Sequence, residues 1–196
     1  MPLYTWLRTA TASVAVVLAT ATATTAHAAP VPATEPATAG AAAVVTLRYD
    51  DSRAGGWEAA IAAGVASWNA HVDNVRLVEA APGTRAEIVI VATTGWPQAQ
   101  LGPVRPGRQV RVELGSQAVT QGYDKTRIAA HELGHSLGLP DTKPGPCSQL
   151  MSGSSAGTAC LNAVPNATEQ ARVESFYANG AAARFAVDGR VLVDAP

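Results

Sequence analysis

The sequence predicts a single α+β domain, in which a small twisted sheet packs against one helix in the middle of the chain and another near its end. Its 196 residues suit one domain once N-terminal processing segments are set aside. Short segments of strand-like pattern are interleaved with three longer segments whose apolar residues recur at helical spacing. No internal repeat interrupts this order, so the strands and helices are expected to share one core.

Four segments are predicted to be strands of that sheet. Val44–Tyr49 contains β-branched residues and alternates towards its end, and Val75–Val78 is a shorter segment of the same kind. Ala86–Ala92 is apolar enough to lie in the centre of a sheet. In residues 110–114, valine and leucine alternate with arginine and glutamate, which predicts a strand with one exposed face.

Three segments are predicted to be helices. Trp57–His71 carries its large apolar residues in one stripe, which predicts a buried face. Thr126–Leu137 is the second helix, and Thr168–Ala178 closes the domain. The side chains expected to fill most of the core are Trp57, Trp68, Trp96, Phe176 and Tyr177.

Two long stretches are predicted to be irregular. Gly95–Gly107 is rich in proline and glycine, and Pro140–Pro165 is a loop of a length that usually carries function. The second loop contains Cys147 and Cys160, the only cysteines of the chain. In an oxidising compartment these two should form a disulfide. The alternative, a pair of zinc-binding thiolates, fits poorly because neither belongs to a CxxC motif.

The first 43 residues are expected to lie outside the folded domain. A weakly basic start, a short apolar stretch at residues 13–19 and a small-x-small sequence ending at Ala28 predict a signal peptide over residues 1–28. The alternative, a membrane anchor, is disfavoured because the apolar stretch is far too short to span ~30 Å of hydrocarbon. Residues 29–43 are rich in alanine, proline and threonine and are predicted to be a disordered pro-segment or linker.

The segment His131–Asp141, HELGHSLGLPD, has the spacing of a zinc site. Residues four apart lie one above the other on a helix, so His131 and His135 present two imidazoles to a single point. Glu132, one position further round, can accept the proton of an attacking water. The alternative is an ordinary amphipathic helix with histidines on its surface, but the glycine and the Leu-Pro sequence that follow favour the zinc site.

A third ligand is expected just after the helix. Gly138 tolerates the backbone conformation that stops the helix and Pro140 prevents its resumption, so the chain can fold back and bring Asp141 to the metal. Three protein ligands leave the fourth position of a tetrahedral zinc ion open, as in catalytic sites. Asp141 can instead be a turn residue. The other candidates for the third ligand are His71, Glu169 and Glu174.

The predicted order of elements is that of a zincin-like, metzincin-type domain. Within it, residues 123–179 resemble the snapalysins, small secreted neutral metalloendopeptidases of Streptomyces-type bacteria. The resemblance rests on YDKTRIAAHELGHSLGLPD, on GPCSQLMSG and on the later Cys160…PNA…ARV sequence. It is specific because Asp, rather than His, follows the glycine by three residues, and it extends more loosely to about Val44 through SWN and VRL.

The resemblance implies a zinc metallopeptidase domain over residues 44–180, with Asp141 as the third ligand and a preference for an aromatic residue just after the scissile bond. It implies that Met151 forms a Met-turn beneath the ligands, where the thioether packs without binding the metal. It also implies a calcium site at Asp124 and Thr126, although these residues can instead cap the helix.

The chain departs from the family two residues after the ligand aspartate. Snapalysins usually carry a tyrosine there, whose hydroxyl can help stabilise the oxyanion, whereas this chain has Lys143. Pro144 biases Lys143 towards an extended backbone, so its ammonium group could reach the oxyanion. The alternative is a solvated surface lysine.

The function predicted from these residues is hydrolysis of peptide bonds in proteins by a secreted, monomeric enzyme that uses water activated by zinc and Glu132 as general base. The alternatives are a zinc hydrolase of a non-peptide amide and a secreted zinc-binding module, which the intact Glu132 disfavours. A net charge of −1 argues against nucleic-acid and membrane partners. Residues 181–196 have no predicted role, and Ala186–Val193 is expected to form either a hairpin or a disordered or processed tail.

Overall fold

The computed structural model describes residues 43–180 and 189–196. The predicted signal peptide, residues 1–28, and nearly all of the predicted linker, residues 29–43, lie outside the described residues, as do residues 181–188 of the extension. Among the helices of the described ranges, none is long and apolar enough to cross a membrane.

The described ranges form one mixed sheet with helices packed on it. The elements are β1 Val45–Arg53, α1 Glu58–His71, β2 Val75–Glu79, β3 Ile88–Thr93, β4 Gln98–Gln100, β5 Val110–Gly115, α2 Ser116–Thr120, α3 Lys125–Ser136, a 3-10 helix Leu150–Ala156, α4 Ala167–Tyr177 and β6 Val191–Val193. The strand order is β2-β1-β3-β5-β4-β6. The pairs among β1, β2, β3 and β5 are parallel, whereas β4 runs antiparallel to both β5 and β6. The predicted α+β fold, with its small sheet, histidine-bearing helix and C-terminal helix, is confirmed.

The core fixes helix α3 against helix α1 and the sheet. The two helices pack together, and Trp68 Nε1 donates to the carbonyl of Ala130 at 2.8 Å. Because this indole is buried, its hydrogen bond both satisfies a polar atom and aligns the helices. Of the five large side chains predicted for the core, Trp57, Trp68 and Tyr177 are buried, and Trp96 and Phe176 are partly buried against it.

The predicted loops contain structure that the sequence pattern did not show. The loop prediction for Gly95–Gly107 is wrong at Gln98–Gln100, which forms β4. This sequence of three residues is too short to show a periodicity between the neighbouring prolines and glycines, and its partner strands provide its order. Likewise Pro140–Pro165 contains the 3-10 helix. Val191–Val193 of the extension is a strand, and it pairs with β4.

Candidate metal centre

Helix α3 carries the two histidines, and specific residues define both of its ends. The Asp124 side chain accepts a hydrogen bond from Arg127 N at 2.8 Å and so caps the N-terminus. Beyond the last turn, Gly138 has a φ of 107°, in the region that favours glycine. A Cβ at this position would also lie 3.0 Å from the ring of Phe176. The helix therefore stops here, and the chain turns back towards Asp141.

Three side chains converge where this turn closes. Asp141 Oδ1 lies 3.2 Å from His131 Nε2 and 3.5 Å from His135 Nε2. Both histidines are fully buried, and their ring planes are inclined at 81°. The two nitrogens thus approach one point from different directions, and all three ligand atoms lie within 4.8 Å of one another. The structure brings together the three residues that the sequence proposed as zinc ligands.

Backbone carbonyls fix the orientation of both imidazoles. His131 Nδ1 lies 3.0 Å from the carbonyl oxygen of Leu150, and His135 Nδ1 lies 2.7 Å from that of Leu139. Since a carbonyl oxygen can only accept, each Nδ1 carries the proton. In a neutral ring the lone pair is then on Nε2, the atom that faces Asp141.

The buried polar atoms of this cluster fit a zinc ion. His131 Nε2, His135 Nε2, Asp141 Oδ1 and both carboxylate oxygens of Glu132 are buried and have no hydrogen-bond partner. Buried polar atoms are normally paired, so five unpaired ones around His131 require an explanation. Two imidazole nitrogens and one carboxylate oxygen are a donor set that zinc accepts at a catalytic site.

Burial and mutual charge shift the titration of every member of the cluster. Burial lowers the pKa of His135 to about 3, and the charge on His131 adds to this effect. Burial also opposes protonation of His131, but the carboxylates of Asp141, Asp194 and Glu132 outweigh it and raise the pKa to about 9. Protonation of His131 therefore competes with metal binding at this site. Burial raises the pKa of Glu132 well above its usual range.

The 3-10 helix Leu150–Ala156 packs against α3 and supports the two histidines. Met151 is buried, and a Cβ on Gly134, which lies between the histidines, would be 2.6 Å from its Sδ. The glycine therefore allows the thioether to lie against the helix where a Met-turn was predicted. The buried carboxylate of Glu169 accepts hydrogen bonds from the backbone N–H groups of Met151 at 2.8 Å and Leu150 at 3.2 Å. It thereby ties the 3-10 helix to α4.

Arg127, one turn before His131, holds the same loop from the other side. Its buried guanidinium donates to Asn162 O at 2.6 Å, Gln149 O at 3.0 Å and Ser152 Oγ at 3.0 Å. The sequence analysis missed both Arg127 and Glu169 as supporting residues. A charged residue on the buried face of the metal-binding helix was the signal for the first, and nothing local marked the second.

The alternative third ligands have other partners. His71 lies at the exposed end of α1, where its Nδ1 is 2.7 Å from the carbonyl of Ser67. The carboxylate of Glu169 binds the loop backbone, and that of Glu174 accepts from Asn74 N at 3.0 Å. In the described ranges, neither of the groups of three potential ligands includes any of these candidates.

The predicted disulfide is present, since Cys147 and Cys160 are bonded with their Cα atoms 5.4 Å apart. These cysteines therefore offer no thiolate to a metal. Asp124 caps α3, as described, and no three-residue group of potential ligands in the described ranges contains it. The calcium site at Asp124 and Thr126 stays a prediction.

One residue absent from the sequence-based site lies within it. Asp194, from the segment after β6, forms a second group of potential ligands with His131 and Glu132, whose ligand atoms lie within 4.8 Å of one another. Lys143 Nζ lies 2.6 Å from Asp194 Oδ1. The lysine therefore points towards the site, as one of the two readings expected, but its partner there is a carboxylate.

A helix that presents HExxH, followed by a turn that returns a carboxylate to the same point, defines a zinc-hydrolase class of site. The chain belongs to the Streptomyces extracellular neutral proteinase (M7) family, whose sequence model matches residues 44–180. The resemblance to snapalysins is thereby confirmed. The matched region contains His131, His135 and Asp141, and it ends before β6.

Individual relatives agree with this assignment. The chain is 41% identical over 141 residues to the extracellular small neutral protease of Streptomyces coelicolor, a match that covers 72% of this chain and 63% of that protein. It is 40% identical over 136 residues to the protein of the same name from Streptomyces caespitosus, covering 69% of this chain and 99% of the relative. The chain thus spans less than two thirds of the length of the first of these relatives.

Solved structures with detectable similarity include a hatching-enzyme zinc-protease from medaka, high choriolytic enzyme 1. It is 27% identical with a TM-score of 0.37, over 50% of this chain and 46% of that one. Another is myroilysin, which is 15% identical with a TM-score of 0.45, over 68% and 82% of the two chains.

Proposed function

We propose that this chain is a secreted, zinc-dependent endopeptidase whose ligands are His131, His135 and Asp141. The observation that carries the proposal is the convergence of two buried Nε2 atoms and one carboxylate oxygen, all without hydrogen-bond partners. Family membership supports proteolysis and zinc, and the relatives' names support an extracellular location. The predicted signal peptide agrees with export.

Bound zinc supplies a Lewis acid that polarises a peptide carbonyl and acidifies water. Glu132 is the residue positioned to move the proton. Its carboxylate is fully buried beside His131 and has no other partner. Burial raises its pKa, and the positive charge of a bound zinc ion would lower it again, so the carboxylate could accept a proton from the attacking water and then donate it to the leaving amine. The carbonyls of Leu139 and Leu150 hold the two imidazoles in the tautomer that leaves Nε2 for the metal.

Substitution of Glu132 tests this assignment. Glu132→Gln should bind zinc at one equivalent per chain, since the side chain is not among the three ligands, while casein hydrolysis falls by about 10²- to 10⁴-fold. Glu58→Gln, at the exposed start of α1, is the matched control and should leave both quantities unchanged. Zinc is measured by elemental analysis of the purified protein.

Two outcomes would count against the proposal. Near-normal turnover by the zinc-loaded Glu132→Gln protein would remove the general-base role. A parent protein that cleaves small acyl amides but not casein or peptides would place it among non-peptide hydrolases. The aromatic preference inferred from the family is tested with peptides that differ only in the residue after the scissile bond, where phenylalanine or tyrosine should give a higher kcat/KM than alanine.

A further inference from the structure

The outer edge of β4 is occupied by a segment that lies beyond the family match. Val191–Val193 pairs antiparallel with Gln98–Gln100, in register from Gln98 with Val193 to Gln100 with Val191. The ladder continues at both ends, through Leu101 N to Arg190 O at 2.8 Å and Asp194 N to Pro97 O at 2.9 Å. The segment 189–196 is thus bound as an additional strand through its backbone. This is the mode in which sheet edges bind extended peptides.

The same segment is held on the opposite side by the loop that supports the histidines. Asp194 Oδ1 accepts from Ser154 N at 2.8 Å and from Lys143 Nζ at 2.6 Å. The carbonyl of Ala195 accepts from Ser154 Oγ at 2.8 Å and from Lys143 Nζ at 3.0 Å. At Gly153, which has a φ of 52°, a Cβ would lie 2.3 Å from Asp194 Oδ1, so only glycine permits this approach. The segment therefore bridges the sheet edge and the 3-10 helix.

Between these two anchors the segment reaches the metal centre. Asp194 is 4% exposed, and its carboxylate lies within 4.8 Å of ligand atoms of His131 and Glu132. A carboxylate oxygen is an accepted zinc ligand, and three protein ligands leave one position free. A carboxylate at this place competes both with the attacking water and with access to Glu132.

We propose that residues 189–196 are a built-in inhibitory segment, which covers the peptide-binding edge of β4 and directs Asp194 to the metal centre. This inference rests on the proposed function. The backbone groups of β4 that pair with Val191–Val193 cannot pair with a substrate at the same time, so hydrolysis requires the segment to be displaced or removed.

The small size of the contact makes such displacement feasible. β6 has three residues, and Val191 and Val193 are 48% and 47% exposed. Loss of the segment therefore uncovers little of the core. A tethered segment acts at an effective concentration in the millimolar range, so a contact with a dissociation constant of about 0.1 mM suffices for roughly ten-fold inhibition within one chain.

The experiment compares the full chain with a variant that ends at Gly180, where the family match ends. On a fluorogenic peptide, kcat/KM should rise about ten-fold or more on truncation, given the effective concentration of the tethered segment. A synthetic peptide of residues 189–196 should inhibit the truncated enzyme competitively, and the same peptide with Asp194→Asn should inhibit it less. In the full chain, Asp194→Asn should raise kcat/KM, whereas Asp73→Asn, an exposed control, should not.

A second readout does not need catalysis. A fluorescently labelled peptide of residues 189–196 is titrated with truncated Glu132→Gln protein, and its binding is measured by anisotropy. Saturable binding that weakens with Asp194→Asn supports docking even if the chain proves to hydrolyse no peptide, which separates this inference from the proposed function. Equal kcat/KM for the full and truncated chains, or no saturable binding, would overturn it. If the truncated chain does not fold, full-length Asp194→Asn decides, and an unchanged kcat/KM for that variant is the negative result.

Discussion

Helix α3 with its following turn and strand β4, which lies between β5 and β6, are neighbours in the fold and the two sides of the proposed site, but different kinds of contact hold them. The decisive contacts of α3 are local, because His135 Nδ1 bonds the carbonyl of Leu139, four residues on, and Gly138 turns the chain. β4 has three residues, and its partners come from β5 and from the distant β6. Local contacts close short loops and form with the helix itself, whereas β4 depends on the completed sheet.

This difference separates a specific element from an interchangeable one. The α3 side acts through side chains, so each ligand position requires a particular type of residue. The β4 side acts through backbone N–H and C=O groups, which any extended segment can match. Changes on the first side should therefore abolish function, while changes on the second should alter which segment occupies the site.

The largest effect is expected from His135→Ala, which removes a proposed zinc ligand from α3 and leaves β4 unchanged. Two remaining ligands cannot hold zinc tightly, so the purified protein should contain no stoichiometric zinc and should not hydrolyse casein. The backbone pairing of β4 with β6 does not use this side chain. The exchange rates of the Leu192 and Asp194 amides, which the register of the ladder turns towards β4, should therefore match those of the parent protein, as measured by hydrogen exchange.

His71→Ala is the matched control, because His71 lies at the exposed end of α1 and bonds only its own helix among the contacts described. It should retain zinc and activity. Stoichiometric zinc in the His135→Ala protein would show that the ligand assignment is wrong, and loss of exchange protection in β6 would show that the two sides are not independent.

Removal of the disulfide tests the loop Pro140–Pro165, which contains both cysteines and supports helix α3. Cys147 and Cys160 are separated by 13 residues, and release of a loop of this length should lower the free energy of unfolding by about 3 kcal/mol. Urea denaturation of the Cys147→Ser, Cys160→Ser double variant measures this. Zinc content at 25 °C should stay at one equivalent, because neither cysteine is a ligand. A double variant as stable as the parent would contradict the expectation.

Glu169→Gln should have a smaller effect on the same loop. The amide retains one acceptor but presents N–H groups to the backbone N–H groups of Leu150 and Met151, so one or more bonds are lost. The expected loss of stability is roughly 1–3 kcal/mol for a buried, unsatisfied donor. Zinc should also be released faster to a chelator, since Leu150 orients His131. Glu58→Gln serves as the exposed control, and identical zinc-release rates would refute the supporting role.

The sequence predicted the local side of the site almost completely. The spacing of His131, His135 and Asp141 follows from helix geometry and from a glycine that stops the helix, both of which are visible within a few residues. The three longer helices and the four longer strands were also predictable, because their apolar periodicity is a local property, whereas the short helix Ser116–Thr120 was not predicted. The disulfide followed from the presence of two cysteines in a chain that the sequence predicts to be exported.

The other side could not be predicted, because no local property encodes it. Gln98–Gln100 is too short for one apolar residue, Ala99, to predict a strand, so only its pairing with β5 and β6 makes it one. Val191–Val193 is apolar, and its sequence is compatible with a hairpin or with a disordered or processed tail, but no local signal indicates pairing with the distant strand β4. Asp194 enters the site only through that pairing.

The smallest effect is expected from Lys143→Tyr, which acts where the two sides meet. Lys143 pairs with Asp194 and with the carbonyl of Ala195, so its replacement should loosen the segment 189–196. A tyrosine hydroxyl can also donate to the developing oxyanion in a more fixed geometry than a flexible ammonium group. Zinc content should not change, because Lys143 is not a ligand.

Measurement of kcat in both the full chain and the chain that ends at Gly180 separates these two causes. A gain that persists without the segment, on the order of ten-fold at most given that a complete oxyanion donor contributes about 10²-fold, assigns the tyrosine to transition-state stabilisation. A gain confined to the full chain assigns Lys143 to holding the segment. Lys125→Tyr, at the half-buried start of α3, where the ammonium group donates to Gly56 O at 2.8 Å, is the matched control. If Lys143→Tyr is no faster than the parent in either chain, position 143 limits neither catalysis nor release of the segment, and the contact between Lys143 and Asp194 is only one of several that hold the two sides together.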